Sequence, residues 1–291
     1  MPIQPSNSTS GLPHDIGRSA APLHRISAVA GSFCLLFAAA ATTVFARPNA
    51  GRGAWDTTVY HEPFIRSLAE SWPRFDLSDP LTATTPGYHI LLATLSAAGI
   101  DSTASLRLAS ALVGSTLIAL LAAWCVRRVR PFDAFLLALP VAASIYTFQA
   151  SAFILPDNLA WVGVLLILMW CLREPAGWGP IVCAGVTLPL LVFTRQVHLW
   201  AAAPIWLAAW LGVRETRPTL FRNAAARIPA TLIAALLTVP GFLVVAWFLH
   251  TWGGPVPPRF QGDMSGGNPA TPAFLLLQCA IMAVGFGPWI L

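Results

Sequence analysis

Long apolar runs, separated by short polar segments, constrain the fold of this chain more than any other feature. The runs lie at residues 26–46, 86–100, 108–126, 133–154, 158–172, 180–194, 198–213, 229–250 and 273–291. A helix needs about 20 apolar residues, at about 1.5 Å each, to cross a bilayer core of about 30 Å. Only 10% of the residues are charged, whereas soluble domains carry about 25%. The sequence therefore excludes a water-soluble domain and predicts an all-α, polytopic transmembrane helical bundle.

The run at 86–100 decides the predicted topology, because it spans about 15 residues and begins with a proline-glycine pair. With the N-terminus inside, ten of the seventeen arginines lie in the cytosol if this run does not cross, and five if it does. The positive-inside rule favours the first arrangement. We therefore expect about eight spans. Residues 86–100 are expected to form a helix that lies along the outer interface or dips into it. The predicted parts are a cytosolic tail at 1–25 and a transmembrane domain at 26–291, including an outer loop at 47–107 with interfacial helices.

This topology sorts the polar segments by membrane face. The arginine-rich segments 127–130 and 214–227 lie on the inner face, which explains the net charge of +5 without nucleic acid as a partner. The outer face receives residues 47–85, 156–158, 195–198 and 251–272. Such an asymmetry is expected of an enzyme whose site faces outward.

The first outer loop holds about 39 residues, which is long for a connector. A helix from residue 63 would carry Phe64, Leu68 and Trp72 on one stripe, with Arg66 and Glu70 as an i,i+4 pair. This pattern is typical of an amphipathic interfacial helix. The alternative is a solvated loop whose carboxylates only keep it soluble.

Polar side chains also stand at the ends of later runs. Arg195, Gln196 and His198 place a cation, an amide and an imidazole within one turn, which suits phosphate or sugar oxygens. The alternative is that Arg195, at the end of a span, only extends its side chain to the lipid headgroups. Asp157 follows a proline and is either a helix N-cap or a ligand. Asp263 lies in a glycine-rich loop that either folds over a site or only forms a turn.

Four short blocks occur in the order that one family of membrane enzymes shows. They are Trp55-Asp56 with His61-Glu62-Pro63, Asp79-Pro80 with Thr84-Thr85-Pro86-Gly87-Tyr88, Arg195-Gln196-Val197-His198-Leu199-Trp200, and Gly262-Asp263-Met264-Ser265 followed by Gln278. Together they resemble the α-1,2-glucosyltransferases that add the terminal glucose to the lipid-linked oligosaccharide of N-glycosylation. That family belongs to the GT-C membrane glycosyltransferases, so the resemblance implies a GT-C-like bundle.

The chain also departs from the family pattern. The family's acidic pair is adjacent, whereas Asp56 is followed by Thr57, and Glu62 lies six residues on. His198 stands where the family has Asn, and Met264 where it has a basic residue. The resemblance therefore implies the GT-C class rather than glucose or the α-1,2 linkage, in a divergent member. The chain stops at Leu291 inside an apolar stretch, which is typical of a fragment.

The resemblance implies a polyprenyl-phosphate sugar donor and a glycan or lipid-linked acceptor, with transfer on the outer face. A sugar phosphate already has a stable anionic leaving group, so a single base at the acceptor hydroxyl is enough. Asp56 is the expected base, with Glu62 second, and Arg195 is expected to hold the phosphate. The expected substrate-binding residues are His61, Asp79, Tyr88, Asp157, Arg195, Gln196, His198 and Asp263.

The sequence predicts no cofactor and no metal cluster, although Asp56, Asp157 and Asp263 would bind a cation if the fold brought them together. A chain rich in alanine and tryptophan without lysine is typical of a bacterium, so the expected location is the inner membrane; a eukaryotic member would lie in the ER. The rival class is a lipid or solute transporter or flippase, which would carry mid-span charges and inverted repeats. A structural or assembly subunit is the third class considered.

Overall fold

The computed structural model describes residues 22–46, 51–173, 177–211 and 224–262. Within these ranges the chain is all-helical and has no strand. Its helices are α1 (Pro22–Ala46), α2 (Arg52–Asp56), α3 (Glu62–Glu70), α4 (Gly87–Ala97), α5 (Thr103–Cys125), α6 (Pro131–Ala143), α7 (Ile145–Ala152), α8 (Asp157–Cys171), α9 (Trp178–Thr194), α10 (Ala202–Leu211), α11 (Ala224–Trp252) and α12 (Pro258–Gln261). A π-helical turn, Thr57–His61, joins α2 to α3, and a 3₁₀ turn, Gln196–Ala201, precedes α10.

Three of the described helices are long and apolar enough to cross a membrane: α1, α5 and the Arg227–Trp252 part of α11. The pair α6–α7 is a fourth if it is one broken span. Helices α8 and α9 are apolar but have only 15 and 17 residues, fewer than the roughly 20 that a typical bilayer needs. These helices support the prediction of a membrane protein, whereas the predicted count of eight spans is not confirmed. The run at 273–291 lies outside the described residues.

The run at 133–154, expected to form one span, is broken. Helix α6 ends at Ala143, Ser144 adopts φ −57° and ψ 131°, and α7 then leaves at an angle of 73° to α6. A ψ of this size cannot continue an α-helix. The break produces a short helix whose C-terminal end leads directly into the turn before α8.

Helix α4 forms within the run at 86–100. Its 11 residues rise about 16 Å at 1.5 Å per residue, too little to cross a bilayer, as the sequence predicts. It packs instead on α3, where Phe64, Ile65 and Leu68 share a core with Tyr88 and Leu92 of α4. The segment expected to form the first outer loop is therefore, in its described part, a folded helical unit rather than a solvated connector.

Two details predicted for this loop are wrong. Trp72 lies beyond the end of α3 and is 44% exposed, so it does not share the buried stripe with Phe64 and Leu68. Arg66 pairs with Glu62, four residues before it, rather than with Glu70. This i,i+4 pair lies on the surface of a helix that runs on from the preceding π-helical turn, since the backbone N–H of Glu62 bonds to the carbonyl of Thr57.

Hydrogen bonds join the polar segments at one end of the bundle. The backbone N–H of Ile154, just before α8, donates to Thr57 Oγ1 at 3.0 Å. The hydroxyl of Thr85 donates to the carbonyl of Val192 in α9 at 2.8 Å. The approach of α4 to α9 is so close that a Cβ on Gly87 would lie 2.7 Å from a backbone oxygen of α9. The candidate residues from distant parts of the sequence therefore meet at this end.

Candidate functional site

The π-helical turn Thr57–His61 separates the two carboxylates expected to act as bases. Asp56 ends the helix before this turn and Glu62 begins the helix after it. π-Helical turns inside α-helices are frequent at functional sites. Helix α2, which leads into this turn, packs directly on the ring of Phe153. A Cβ on Gly53 would lie only 2.8 Å from that ring.

Asp56 and Glu62 have very different surroundings. One oxygen of Glu62 accepts hydrogen bonds from the guanidinium of Arg66 at 2.5 and 3.1 Å and from the hydroxyl of Thr103 at 2.6 Å. The buried Arg107, one turn further along α5, also interacts electrostatically with Glu62. Asp56 is half-buried, and its carboxylate makes no hydrogen bond or ion pair with any described residue. Glu62 is thus committed to holding α3 against α5, whereas Asp56 is available to a substrate.

Aromatic rings surround the segment that carries Asp56. Trp55 and Tyr60 meet edge to face with their ring centres 5.2 Å apart, and Tyr60 lies 6.1 Å from Phe260 of α12. Trp55 is 53% exposed. Such rings suit either stacking on a sugar or a position at the membrane interface.

A cluster of one acid, one guanidinium and three imidazoles forms the centre of this end; we call Asp157, Arg195, His61, His89 and His198 the Arg195 cluster. Arg195 has an extended backbone between α9 and the 3₁₀ turn, and its guanidinium pairs with the carboxylate of Asp157 across 38 residues of sequence. Asp157 therefore does not cap α8; the N-cap is Pro156, and no side chain caps that end.

His198 is buried, with its ring centre 5.4 Å from that of Trp161 and 6.1 Å from that of Trp200. Burial, and then the Arg195 cation, lower the pKa of His198 to about 4. The ring is therefore neutral at physiological pH and presents one N–H and one lone pair.

His61 and His89 form a direct pair. Nδ1 of His61 lies 2.7 Å from Nε2 of His89, and their rings are 5.1 Å apart and nearly parallel. Burial, and then Arg195, lower the pKa of His61 to about 4. Burial, and then His61, lower the pKa of His89 well below its ordinary value. Both rings are thus neutral at physiological pH.

Three buried nitrogens of the Arg195 cluster have no hydrogen-bond partner among the described residues. They are Nε of Arg195, Nδ1 of His198 and Nδ1 of His89. An unpaired buried polar atom costs about 1–3 kcal/mol, so proteins seldom keep several together without a purpose. A polar or anionic ligand held near Arg195 would account for the unpaired nitrogens of Arg195 and His198.

Gln196, next to Arg195, has a different environment. Its side-chain oxygen accepts the backbone N–H of Thr85 at 3.1 Å, and its amide nitrogen donates to the carbonyls of Ala83 at 3.0 Å and Pro255 at 3.4 Å. The amide thus ties the loop before α4 to the segment after α11. With both ends occupied, it has little left to offer a sugar.

Asp79 also connects the loop before α4 to the segment after α11. It accepts hydrogen bonds from the backbone N–H of Arg259 at 3.2 Å and from its guanidinium at 2.9 Å. The Arg259 hydrogen bond lowers the pKa of Asp79. Nearby, the indole of Trp252 donates to the carbonyl of Leu77 at 2.9 Å. We call Gln196, Thr85, Asp79, Arg259 and Trp252 the clasp, because they fasten the 77–85 loop to the end of α11 and the segment that follows it.

Two further expected residues have distinct placements. Tyr88 is 1% exposed, and its hydroxyl lies 2.5 Å from that of Ser110 in α5, so its ring packs in the core and offers no face to a sugar. Burial raises the pKa of Tyr88. Asp263 lies outside the described residues.

Sequence reasoning missed His89, which joins the Arg195 cluster, and Thr103 and Arg259, which engage Glu62 and Asp79. A signal for His89 was present, since a histidine inside the apolar run at 86–100 must find a polar partner when it is buried. Nothing comparable marks Thr103 or Arg259, whose partners are 41 and 180 residues away.

Within the described ranges, no group of three or more His, Cys, Asp or Glu side chains is arranged to hold a metal ion. Comparisons with protein-family models, with curated proteins and with solved structures find no match to this chain.

Proposed function

We propose that this chain is an integral-membrane glycosyltransferase of the GT-C class. It moves a sugar, expected to be a hexose, from a polyprenyl-phosphate donor to a hydroxyl of a glycan or lipid-linked acceptor. The observation that carries the proposal is the position of an uncommitted carboxylate, Asp56, one π-helical turn before His61 of the Arg195 cluster, in which buried nitrogens are unpaired. The four sequence blocks support it further.

The proposed reaction is a single displacement that inverts the anomeric carbon. The acceptor oxygen attacks C1 of the sugar, the bond from C1 to the phosphate oxygen breaks, and the acceptor proton passes to the carboxylate of Asp56. The bond-breaking electron pair stays on the phosphate, so no general acid is needed. One positioned base contributes about 10²–10⁴-fold.

Arg195 stabilises the charge that develops on the departing phosphate. One of its N–H groups is used by Asp157, while its Nε lacks a partner. The Asp157 pair positions the guanidinium and cancels part of its charge, so other donors are needed to hold a phosphate. The neutral rings of His61 and His198, which both lie within electrostatic reach of Arg195, are suited to supply them.

Membranes that contain the protein and its own acceptor test the proposal with labelled polyprenyl-phosphate hexoses. We expect wild type to transfer label, and Asp56→Asn to lose at least about 100-fold of that rate. Asp101→Asn is the matched control, because Asp101 is an exposed carboxylate before α5 that lies outside the site. Equal transfer by wild type and Asp56→Asn would remove Asp56 as the base.

A lipid or solute transporter is the second candidate, and the broken helix pair α6–α7, bent by 73°, favours it. Discontinuous helices build ion and substrate sites in many transporters. Proteoliposomes separate the two classes, since a transporter would move the labelled lipid-linked sugar across the bilayer without forming a new glycoside. Flux without transfer from any of the donors would replace the enzyme proposal.

A further inference from the structure

The His61–His89 pair sets which nitrogen of His61 carries the proton. His89 lies on α4, is fully buried, and is packed against Phe64 at 5.2 Å and Tyr88 at 6.0 Å between ring centres. Its Nδ1 has no hydrogen-bond partner, and its Nε2 faces Nδ1 of His61 at 2.7 Å. Only one proton fits between these two nitrogens, so exactly two arrangements of the neutral pair exist.

In the first arrangement His61 donates from Nδ1, and His89 must then carry its proton on the buried Nδ1, where no described group accepts it. In the second arrangement His89 donates from Nε2, and its Nδ1 is left as a bare lone pair. Buried N–H groups without an acceptor are rare in proteins, which counts against the first arrangement. The second arrangement is therefore favoured, and it leaves the proton of His61 on Nε2.

The Nε2–H of His61 is free to bind a ligand. No described residue hydrogen-bonds to that nitrogen, and although side chains enclose most of His61, part of its surface stays accessible. The turn that carries His61 is hydrogen-bonded through Thr57 to Ile154, three residues before Asp157, which is the ion-pair partner of Arg195. His61 and Arg195 therefore lie at the same end of the bundle, in agreement with the electrostatic effect of Arg195 on His61. Neutrality matters here because a neutral imidazole donates one hydrogen bond in a defined direction without competing with Arg195 for Asp157.

We infer that His89 is a positioning residue, whose Nε2–H fixes His61 as an Nε2–H donor to a phosphate oxygen bound beside Arg195. The inference rests on the proposed function for the identity of the anion, a prenyl phosphate, but not for the protonation of the pair. It also separates two roles at this site: His61 donates a hydrogen bond to the phosphate, and Asp56 remains the base.

The protonation is tested on wild-type protein alone, with no substrate. Histidines labelled with ¹⁵N in lipid nanodiscs report which ring nitrogen carries the proton, and the His61 signals are assigned from their loss in His61→Gln. We expect His61 to be protonated on Nε2 and His89 on Nε2 at neutral pH. A His61 protonated on Nδ1 would overturn the inference, whatever the enzyme's activity is.

The ligand role is tested by binding of farnesyl phosphate to the purified protein, with farnesol as the uncharged control. We expect His61→Phe to raise the Kd for farnesyl phosphate at least about tenfold, since a hydrogen bond to a charged group is lost. His61→Gln, whose amide nitrogen replaces Nε2, stays within about threefold of wild type on the same reasoning. Farnesol binding does not change in either variant.

His89 is tested by a pair of substitutions that differ in donor capacity. His89→Gln keeps an N–H near Nε2 and retains wild-type binding of farnesyl phosphate, whereas His89→Leu frees the His61 ring and weakens binding several-fold. Equal loss in both variants would make His89 merely structural and overturn its positioning role. If wild type shows the expected protonation but binds farnesyl phosphate no better than farnesol, the phosphate role of His61 fails together with the proposed donor, and the tautomer assignment stands.

Discussion

The Arg195 cluster and the clasp lie side by side, and they use polar side chains in opposite ways. Every polar group of Gln196 is hydrogen-bonded to backbone, and Asp79 is paired with Arg259. Around Arg195, by contrast, buried nitrogens remain unpaired on Arg195 itself and on His198. Arg195 and Gln196 are adjacent in sequence, but Arg195 belongs to the cluster and Gln196 to the clasp. The difference shows that neighbouring polar residues at a helix end are separated into fold and site only by what they contact.

The largest effect that tests this comparison is expected for Arg195→Ala. If Arg195 stabilises the leaving phosphate, transfer falls at least about 100-fold, the scale of losing one preorganised charge-stabilising donor. Transfer of labelled hexose measures it, alongside the melting temperature. Arg195→Lys restores only part of the rate, because an ammonium lacks the planar fork of the guanidinium.

Arg259→Ala is the matched control for that experiment. Like Arg195, Arg259 pairs with an aspartate, but its partner is Asp79 of the clasp. Near-normal transfer by Arg195→Ala would assign Arg195 to lipid headgroups and return it to a snorkelling role. A loss of the same size in Arg259→Ala would erase the distinction between the two regions.

The next effect is on stability as a function of pH. In the folded chain the pKa values of His61 and His198 are lowered to about 4, from 6.5 in the unfolded chain. The unfolded state therefore binds more protons between these values, and the free energy of unfolding falls as the pH drops from 6.5 towards 4. The slope is at most about 1.4 kcal/mol per pH unit for each ring.

Thermal unfolding in detergent between pH 7.5 and pH 4 measures this slope. Replacing both rings, in the double variant His61→Gln and His198→Gln, is expected to flatten it. A wild-type stability that stays constant over this window would show that the two rings are not buried as neutral groups.

The sequence predicts the elements of this fold well where apolar length is decisive. The runs at 26–46 and 108–126 become α1 and α5 almost in full, and the run at 86–100 yields a helix too short to cross. These outcomes follow from the balance between hydrocarbon and polar backbone, which depends on local composition alone. The break at Ser144 escaped prediction, because the sequence there remains apolar on both sides.

The assignment of polar residues to site or scaffold was much less predictable. The position of Asp157 after a proline suits either a helix cap or a ligand, yet Asp157 pairs with Arg195, 38 residues away. Gln196 looked like a ligand by its neighbours, yet it binds three backbone groups. Local sequence determines which residues stand at helix ends, while tertiary packing alone determines which partner each one meets.

A smaller effect is expected when Gln196 is replaced. Gln196→Ala leaves the buried N–H of Thr85 without an acceptor, so the free energy of unfolding falls by about 1–3 kcal/mol. Gln196→Glu keeps the acceptor but turns a carboxylate oxygen towards the carbonyls of Ala83 and Pro255, so it is expected to destabilise the fold at least as much. Chemical unfolding measures both. A wild-type stability in Gln196→Ala, combined with weaker farnesyl phosphate binding, would restore Gln196 to the binding site.

The smallest effect is expected at the exposed pair of Asp79 and Arg259, whose side chains are 40% and 39% exposed. Solvent and salt screen such a pair, so neither Asp79→Asn nor Arg259→Ala shifts the melting temperature measurably. If Asp79 only fastens the loop, both variants change hexose transfer equally, within about twofold, as expected for a surface ion pair. If Asp79 instead binds the sugar, as the sequence predicts, Asp79→Asn lowers transfer while Arg259→Ala does not. Measuring the two variants side by side therefore decides whether Asp79 belongs to the clasp alone.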